Sequence, residues 1–301
     1  MDFGKVEPHE ILRIDHSLPA DGVVTGKVLK KDGTELPLKF HVGCGKWGRQ
    51  EWKGHLYPER TKDIDFLEEY AKWFDTIELA ATFYSKPDQE STGRWLDKAT
   101  RSGNKDFIFI PKVHRNISHI KKLEDCSAEL TDFLIGLKGF ETNLGPILLQ
   151  LSENFGTDYY DRLKSFVAEL PKGYRFFIEL RHQSWFSDEI NRARVFELFH
   201  QYGIGSVMSD SSGRRDCLHM ELPTPDLYVR FNGNSGEYRH HDEQRIDQWV
   251  ERIGGWAGRG LKNIFFIVHQ FDEMDTPALA SYLIRQLNEK MNAGLKPVVW
   301  K

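Results

Sequence analysis

From Lys39 onward one pattern repeats: a short apolar β-forming run, a polar loop, then an amphipathic helix, a rhythm that commits a chain to parallel βα architecture. Eight runs are present: Lys39 to Gly43, Thr76 to Leu79, Phe107 to Pro111, Pro146 to Leu151, Arg175 to Leu180, Ile204 to Ser209, Leu227 to Phe231 and Asn263 to His269. Strands of a parallel sheet are buried on both faces, so they read as nearly continuous apolar sequence. No P-loop follows any of them, and eight strands in this rhythm favour a closed barrel over an open doubly wound sheet. The pattern predicts an α/β fold closed into a (β/α)8 TIM barrel.

Helical spacing between the strands is clear in several places. Ile64, Leu67, Ala71 and Phe74 predict a helix over Ile64 to Phe74; Tyr159, Leu163, Phe166, Val167 and Leu170 predict another over Asp158 to Leu170. Thr276 followed by Pro277 reads as an N-cap and first helical residue opening a final helix. Between Asp210 and Leu227 the breakers are too dense for a helix, so one crossover is expected to be irregular. Residues 1–38 differ from the rest, with sparse apolar residues, three prolines and a possible hairpin, KVLKKDGTEL, turning at Asp32-Gly33. They are expected to form an extension packed on a single barrel domain over residues 39–301.

Composition excludes several classes. A net charge of -4 with pI near 6.3 argues against binding nucleic acid over the whole surface and confines any polyanion contact to a local patch. Cys44, Cys126 and Cys217 are few and far apart, which suggests neither a disulfide framework nor a zinc knuckle. The first residues carry acids and no apolar core of a signal peptide, and no later segment approaches eighteen uninterrupted apolar residues. A cytoplasmic protein with no membrane partner is expected.

The ends of the strands are polar: Glu78, Lys112, Gln150, Glu179, Asp210, Arg230 and His269. In a barrel these ends converge on one mouth, where active sites sit. In Tyr174 to Phe186, strict alternation puts Phe177, Glu179 and Arg181 on one side of a strand, and Ser187 with Asp188 and Glu189 reads as the cap of the next helix. Carboxylates and cations in one water-poor funnel perturb each other's pKa values, which makes Glu78 and Glu179 the candidate general acid and base. The same groups could also form a structural ion-pair network, the less favoured reading because active sites occupy this face of barrels. Trp47, Trp52 and Tyr57, Phe83 and Tyr84, Trp185 and Phe186, and Tyr238 follow strands together with Lys46, Arg49, His114 and Arg115. Rings and cations on one rim suit a sugar, a base or a phosphorylated ligand. His114, His119, His182, His240, His241 and His269 lie near strand ends, yet no HxH or HExxH pattern fixes a metal, and none is expected. No motif identifies a cofactor. Neither the serines nor Cys44 carry a legible nucleophile motif.

The segments HVGCGKWGRQEWKGHLYP, TIELAATFYSKP, FIFIPKVHRNISH, LGPILLQLSENFG, FIELRHQSWF and YVRFNGN, in this order, resemble the YecE-like barrels grouped as domain of unknown function 72 (DUF72). The resemblance spans residues 39–233 and weakens beyond. It implies a TIM barrel and no agreed activity. Glu78, Tyr84, Lys112, His119, Gln150, Glu179, Arg181, Trp185 and Arg230 match the family's pattern. Ser152-Glu153-Asn154, Asn232 and His269-Gln270-Phe271-Asp272 depart from it, which puts in doubt any mechanism using those family groups. The leading expectation is a barrel that binds or acts on a small anionic ligand, phosphorylated or resembling nucleic acid, at its C-terminal mouth. Trp47, Tyr84, Lys112, His119, Gln150, Arg181, Trp185 and Arg230 would contact that ligand. The alternative is a non-catalytic module for single-stranded nucleic acid or a protein partner. A glycosidase is least supported, because the usual acid positions after strands four and seven hold Gln150 and Arg230.

Overall fold

The computed structural model describes residues 3–30, 37–234 and 236–301. Eight parallel strands, β1 (Lys39–Cys44), β2 (Thr76–Leu79), β3 (Ile108–Pro111), β4 (Ile147–Gln150), β5 (Phe176–Glu179), β6 (Gly205–Asp210), β7 (Asp226–Gly233) and β8 (Asn263–Gln270), are ordered β3-β2-β1-β8-β7-β6-β5-β4. β7 and β8 pair along their full lengths, from Asp226 opposite Asn263 to Gly233 opposite Gln270. β3 and β4 meet at two isolated bridges, Phe109–Leu144 and Lys112–Leu148, with the Val113 N–H donating to the Leu148 carbonyl at 2.8 Å, so the (β/α)8 barrel is nearly closed. Inside lies a compact apolar cluster of Ile110, Leu148, Phe177, Val207, Tyr228, Phe265 and Ile267; the alternate residues of each strand face the helices.

The covering helices are α1 (Val23–Val28), α2 (Phe66–Ala71), α3 (Gln89–Arg101), α4 (Ser127–Leu137), α5 (Tyr160–Glu169), α6 (Glu189–Tyr202), α7 (Arg239–Ala257) and α8 (Thr276–Met291). Three boundaries correct the sequence reading. A 3-10 turn over Asp63–Asp65 precedes α2, so Ile64 is exposed, and Phe66 and Tyr70 join Leu67 in the core. The cap of α6 is Asp188 rather than Ser187, its carboxylate accepting the Ile190 and Asn191 N–H groups at 2.8 and 2.9 Å. At α8 the cap position is Asp275, one residue before the expected Thr276.

The crossover from β6 to β7 holds one 3-10 turn, Ser212–Cys217, and no α-helix among the described residues. Helix α1 from the N-terminal extension occupies that gap instead. Thr25 donates to the Met220 carbonyl at 2.6 Å and accepts the Leu222 N–H at 2.7 Å, while Val24 and Leu29 are buried in the main core. The Glu221 carboxylate sits at the N-terminus of α1 and accepts the Val24 N–H at 2.9 Å. A Cβ on Gly22 would lie 2.0 Å from the Glu221 carboxyl carbon, so this approach requires glycine. On the other flank, Asp21 pairs with Arg252 and Arg259 of the α7 region. The hairpin expected over Lys27 to Leu36 is replaced at its start by the end of α1, and its Asp32-Gly33 turn lies outside the described residues. Among the described residues no helix is long and apolar enough to cross a membrane.

Candidate functional site

Alternation along the strands turns Glu78, Gln150, Glu179, Ser209, Arg230 and His269 inward at the C-terminal end of the barrel, one layer above the apolar cluster. Arg230 on β7 is fully buried and reaches across the mouth. Its Nε and one terminal nitrogen grip both oxygens of Glu78 at 2.7 and 2.9 Å, and the other terminal nitrogen meets both oxygens of Glu179 at 3.2 and 3.1 Å. Tyr228 adds a hydrogen bond to Glu78 at 2.9 Å. Glu179 also accepts from Arg181 Nε at 2.9 Å, Ser209 Oγ at 2.6 Å and Gln150 Nε2 at 2.6 Å. Gln150 in turn accepts Lys112 Nζ at 2.7 Å, and that ammonium lies 4.0 Å above the Phe83 ring.

The buried charges decide each protonation state. Burial raises the Glu179 carboxyl, but Arg181 and Arg230, with the bonds from Ser209 and Gln150, outweigh it and hold it at about 2. For Glu78 burial again opposes, and Arg230 and His269 take it well below the carboxylate range. Lys112 goes the other way. Burial and the neighbouring Arg230 bring its ammonium down to about 7 against the pull of Glu78 and Glu179. His269 is raised: burial lowers it, but Glu78 and Glu273, whose carboxylates lie 3.6 and 3.5 Å from its two nitrogens, favour the charged ring. A Cβ on Gly45 would collide with that imidazole at 2.0 Å, so glycine here makes room for it. Asn232 lies opposite His269 in register on β7 and β8, and its buried side-chain nitrogen Nδ2 has no hydrogen-bond partner, whereas His269 Nε2 faces Glu78.

Six of the residues singled out from sequence, Glu78, Lys112, Gln150, Glu179, Arg181 and Arg230, therefore form one connected cluster. His119 joins its edge, packed against the same Phe83 ring as Lys112, and burial beside Lys112 and Arg181 lowers it to about 4. Three others stand apart from this network of bonds. Trp185 is a core residue whose indole N–H donates to the Phe155 carbonyl at 2.7 Å, Trp47 packs edge-on against Trp95, and Tyr84 is 69% exposed against Phe83.

Asp210 corrects the expectation of a third carboxylate in the mouth. Ser209 takes the inward position, so Asp210 points out to α7, where Arg245 at 2.7 Å, Trp249 at 2.7 Å and Arg215 bind it. Tyr228 and Glu273 escaped the sequence reading, although the first is two residues before Arg230 and the second four after His269. Phe3 was equally invisible. The extension carries its ring 4.1 Å from the Arg181 guanidinium, while its carbonyl accepts Ser211 Oγ at 2.9 Å. Among the described residues no group of three His, Cys, Asp or Glu side chains is arranged to hold a metal ion.

Known proteins agree with this architecture. Two solved structures of DUF72 proteins superpose on the chain. One from Enterococcus faecalis has a TM-score of 0.65 and 20% identity, covering 83% of this chain and 98% of its own; one from Thermotoga maritima has a TM-score of 0.61 and 21% identity, covering 84% and 100%. Protein YecE of Escherichia coli is 24% identical over 279 residues, 86% of this chain and 97% of its own length. Protein YunF of Bacillus subtilis is 21% identical over 240 residues, 75% and 78%. The model of the family described as protein of unknown function DUF72 matches residues 41–300, and the chain belongs to that family.

Proposed function

We propose that the barrel mouth binds a small anionic ligand, with Lys112 and Arg181 as its cations and Asn232 as a further donor. The observation that carries this reading is an excess of donors over acceptors in the top layer. Lys112 has no carboxylate in ion-pair contact among the described residues, and across the mouth, on β7, the buried Asn232 Nδ2 lacks an acceptor. Buried donors without partners are costly, and anionic oxygens would satisfy them. Accessibility distributes the roles. Lys112 and Arg181 each keep 7% of their surface, whereas Glu179 and Arg230 keep none. Glu78 and Glu179, held ionised and enclosed, then act by fixing the cations rather than by exchanging protons with a ligand. A stacking module for single-stranded nucleic acid has less support, because Trp52, Tyr57 and Trp185 are buried.

The test is calorimetric titration with inorganic phosphate and sulfate. An anion keeps Lys112 protonated, so sulfate affinity should fall as pH rises through about 7, roughly thirtyfold between pH 6 and pH 8.5. Lys112→Met should abolish the pH dependence and weaken binding at least about tenfold. Binding that is unchanged in Lys112→Met and flat with pH rejects the assignment.

A further inference from the structure

Lys112 is held as a reactive group would be held. Its backbone is pinned at the end of β3: the N–H donates to Thr82 Oγ1 at 3.0 Å and the carbonyl accepts from the same hydroxyl at 2.8 Å. Its amine touches one acceptor, Gln150 Oε1, and one aromatic face, Phe83. A structural ammonium this buried is ordinarily paired with a carboxylate. Glu78 and Glu179 are near enough to act on it electrostatically, yet both are tied to arginines. A lysine nitrogen at the accessible top of a barrel, enclosed and flanked by guanidinium groups, is placed as an amine nucleophile.

We propose that Lys112 is a catalytic residue that forms an imine with the carbonyl carbon of a small anionic aldehyde or ketone bound at the mouth. This rests on the reading of the mouth as an anion site and names the class of ligand. The step balances within the site. The ammonium first passes one proton to the carbonyl oxygen as nitrogen and carbon bond, giving a carbinolamine. A second proton then leaves nitrogen with the hydroxyl as water, and the C–N double bond forms. One ammonium and one carbonyl become one iminium and one water, with no oxidant or reductant. The nitrogen carries a single positive charge before and after, so the surrounding carboxylates and guanidiniums see no net change in charge. Because Lys112 sits near 7, about half of it is amine at neutral pH, where an ordinary lysine is almost wholly ammonium.

The experiment is reductive trapping on the full chain. Pyruvate, dihydroxyacetone phosphate and glyceraldehyde 3-phosphate are each incubated with the protein and sodium borohydride, and adducts are located by peptide mass spectrometry. We expect one saturable adduct per chain at Lys112, formed on the order of a hundredfold faster than on surface lysines and suppressed by excess phosphate. Mapping in the unsubstituted protein needs no variant; Lys112→Arg, with its fold checked by circular dichroism, should lose that adduct alone. Adducts spread over the lysines in proportion to exposure overturn the inference. If sulfate binds with the predicted pH dependence but no probe labels Lys112, the imine is rejected and the anion site stands. If phosphate does not bind, the anion site fails, and labelling of Lys112 by the neutral probe butyraldehyde then decides the nucleophile separately: labelling supports it and none rejects it.

Discussion

Arg230 bridges carboxylates from β2 and β5, strands on different sides of the barrel, so one side chain fixes the width of the mouth. Removing one partner of such a buried pair leaves charge without compensation. Glu179→Gln keeps the shape, and we expect it to cost about 3–5 kcal/mol in urea unfolding. The pH dependence follows from the sign of the shift. The folded carboxyl sits near 2, below its usual 4.5, so its stabilisation is full above the usual carboxylate range and disappears as pH falls through about 2. Unfolding free energies between pH 2 and pH 5 should therefore rise less steeply in the Gln variant than in the unsubstituted protein; equal slopes would contradict the ion-pair account. Much of this cluster was legible beforehand, because period-two alternation alone joins Glu179 to Arg181. Asp210 was misplaced because a position at a strand end suggests the mouth, whereas Ser209 takes the inward register and a run of polar residues does not reveal which one faces in. The Phe3 contact and the unpartnered donor of Asn232 depend on segments far apart in sequence meeting in space.

At the scale of elements, the eight strands and the irregular sixth crossover could be read from apolar runs and breakers. The helix that fills the gap could not. VVTGKV is β-branched with a glycine, a poor helix former, and it becomes α1 through burial of Val24 and Leu29 and through hydrogen bonds to residues 220–222. Its stability is tertiary. Leu29→Ala should destabilise the whole protein by about 2–5 kcal/mol, as a core truncation does, when measured by thermal or denaturant unfolding. An effect below about 0.5 kcal/mol would show that the extension is merely laid on the surface.

Across the whole molecule the barrel is unevenly closed. β7 and β8 share eight paired positions, whereas β3 and β4 share two isolated bridges, and Lys112 belongs to one of them. Hydrogen exchange read by mass spectrometry should show residues 108–113 and 144–148 as the least protected strand segments, with phosphate slowing them preferentially; uniform protection around the ring would refute a weak seam. The placement of α1 also sets an order of events during synthesis. Its seat is built from α6, the Met220–Leu222 segment and Arg259, so a ribosome emitting roughly 5–20 residues per second exposes Val24 and Leu29 for on the order of 10–40 s before their partners emerge. A helix made early is thus among the last to dock, and the nascent chain carries an unshielded apolar segment that a chaperone can hold until the barrel is nearly complete.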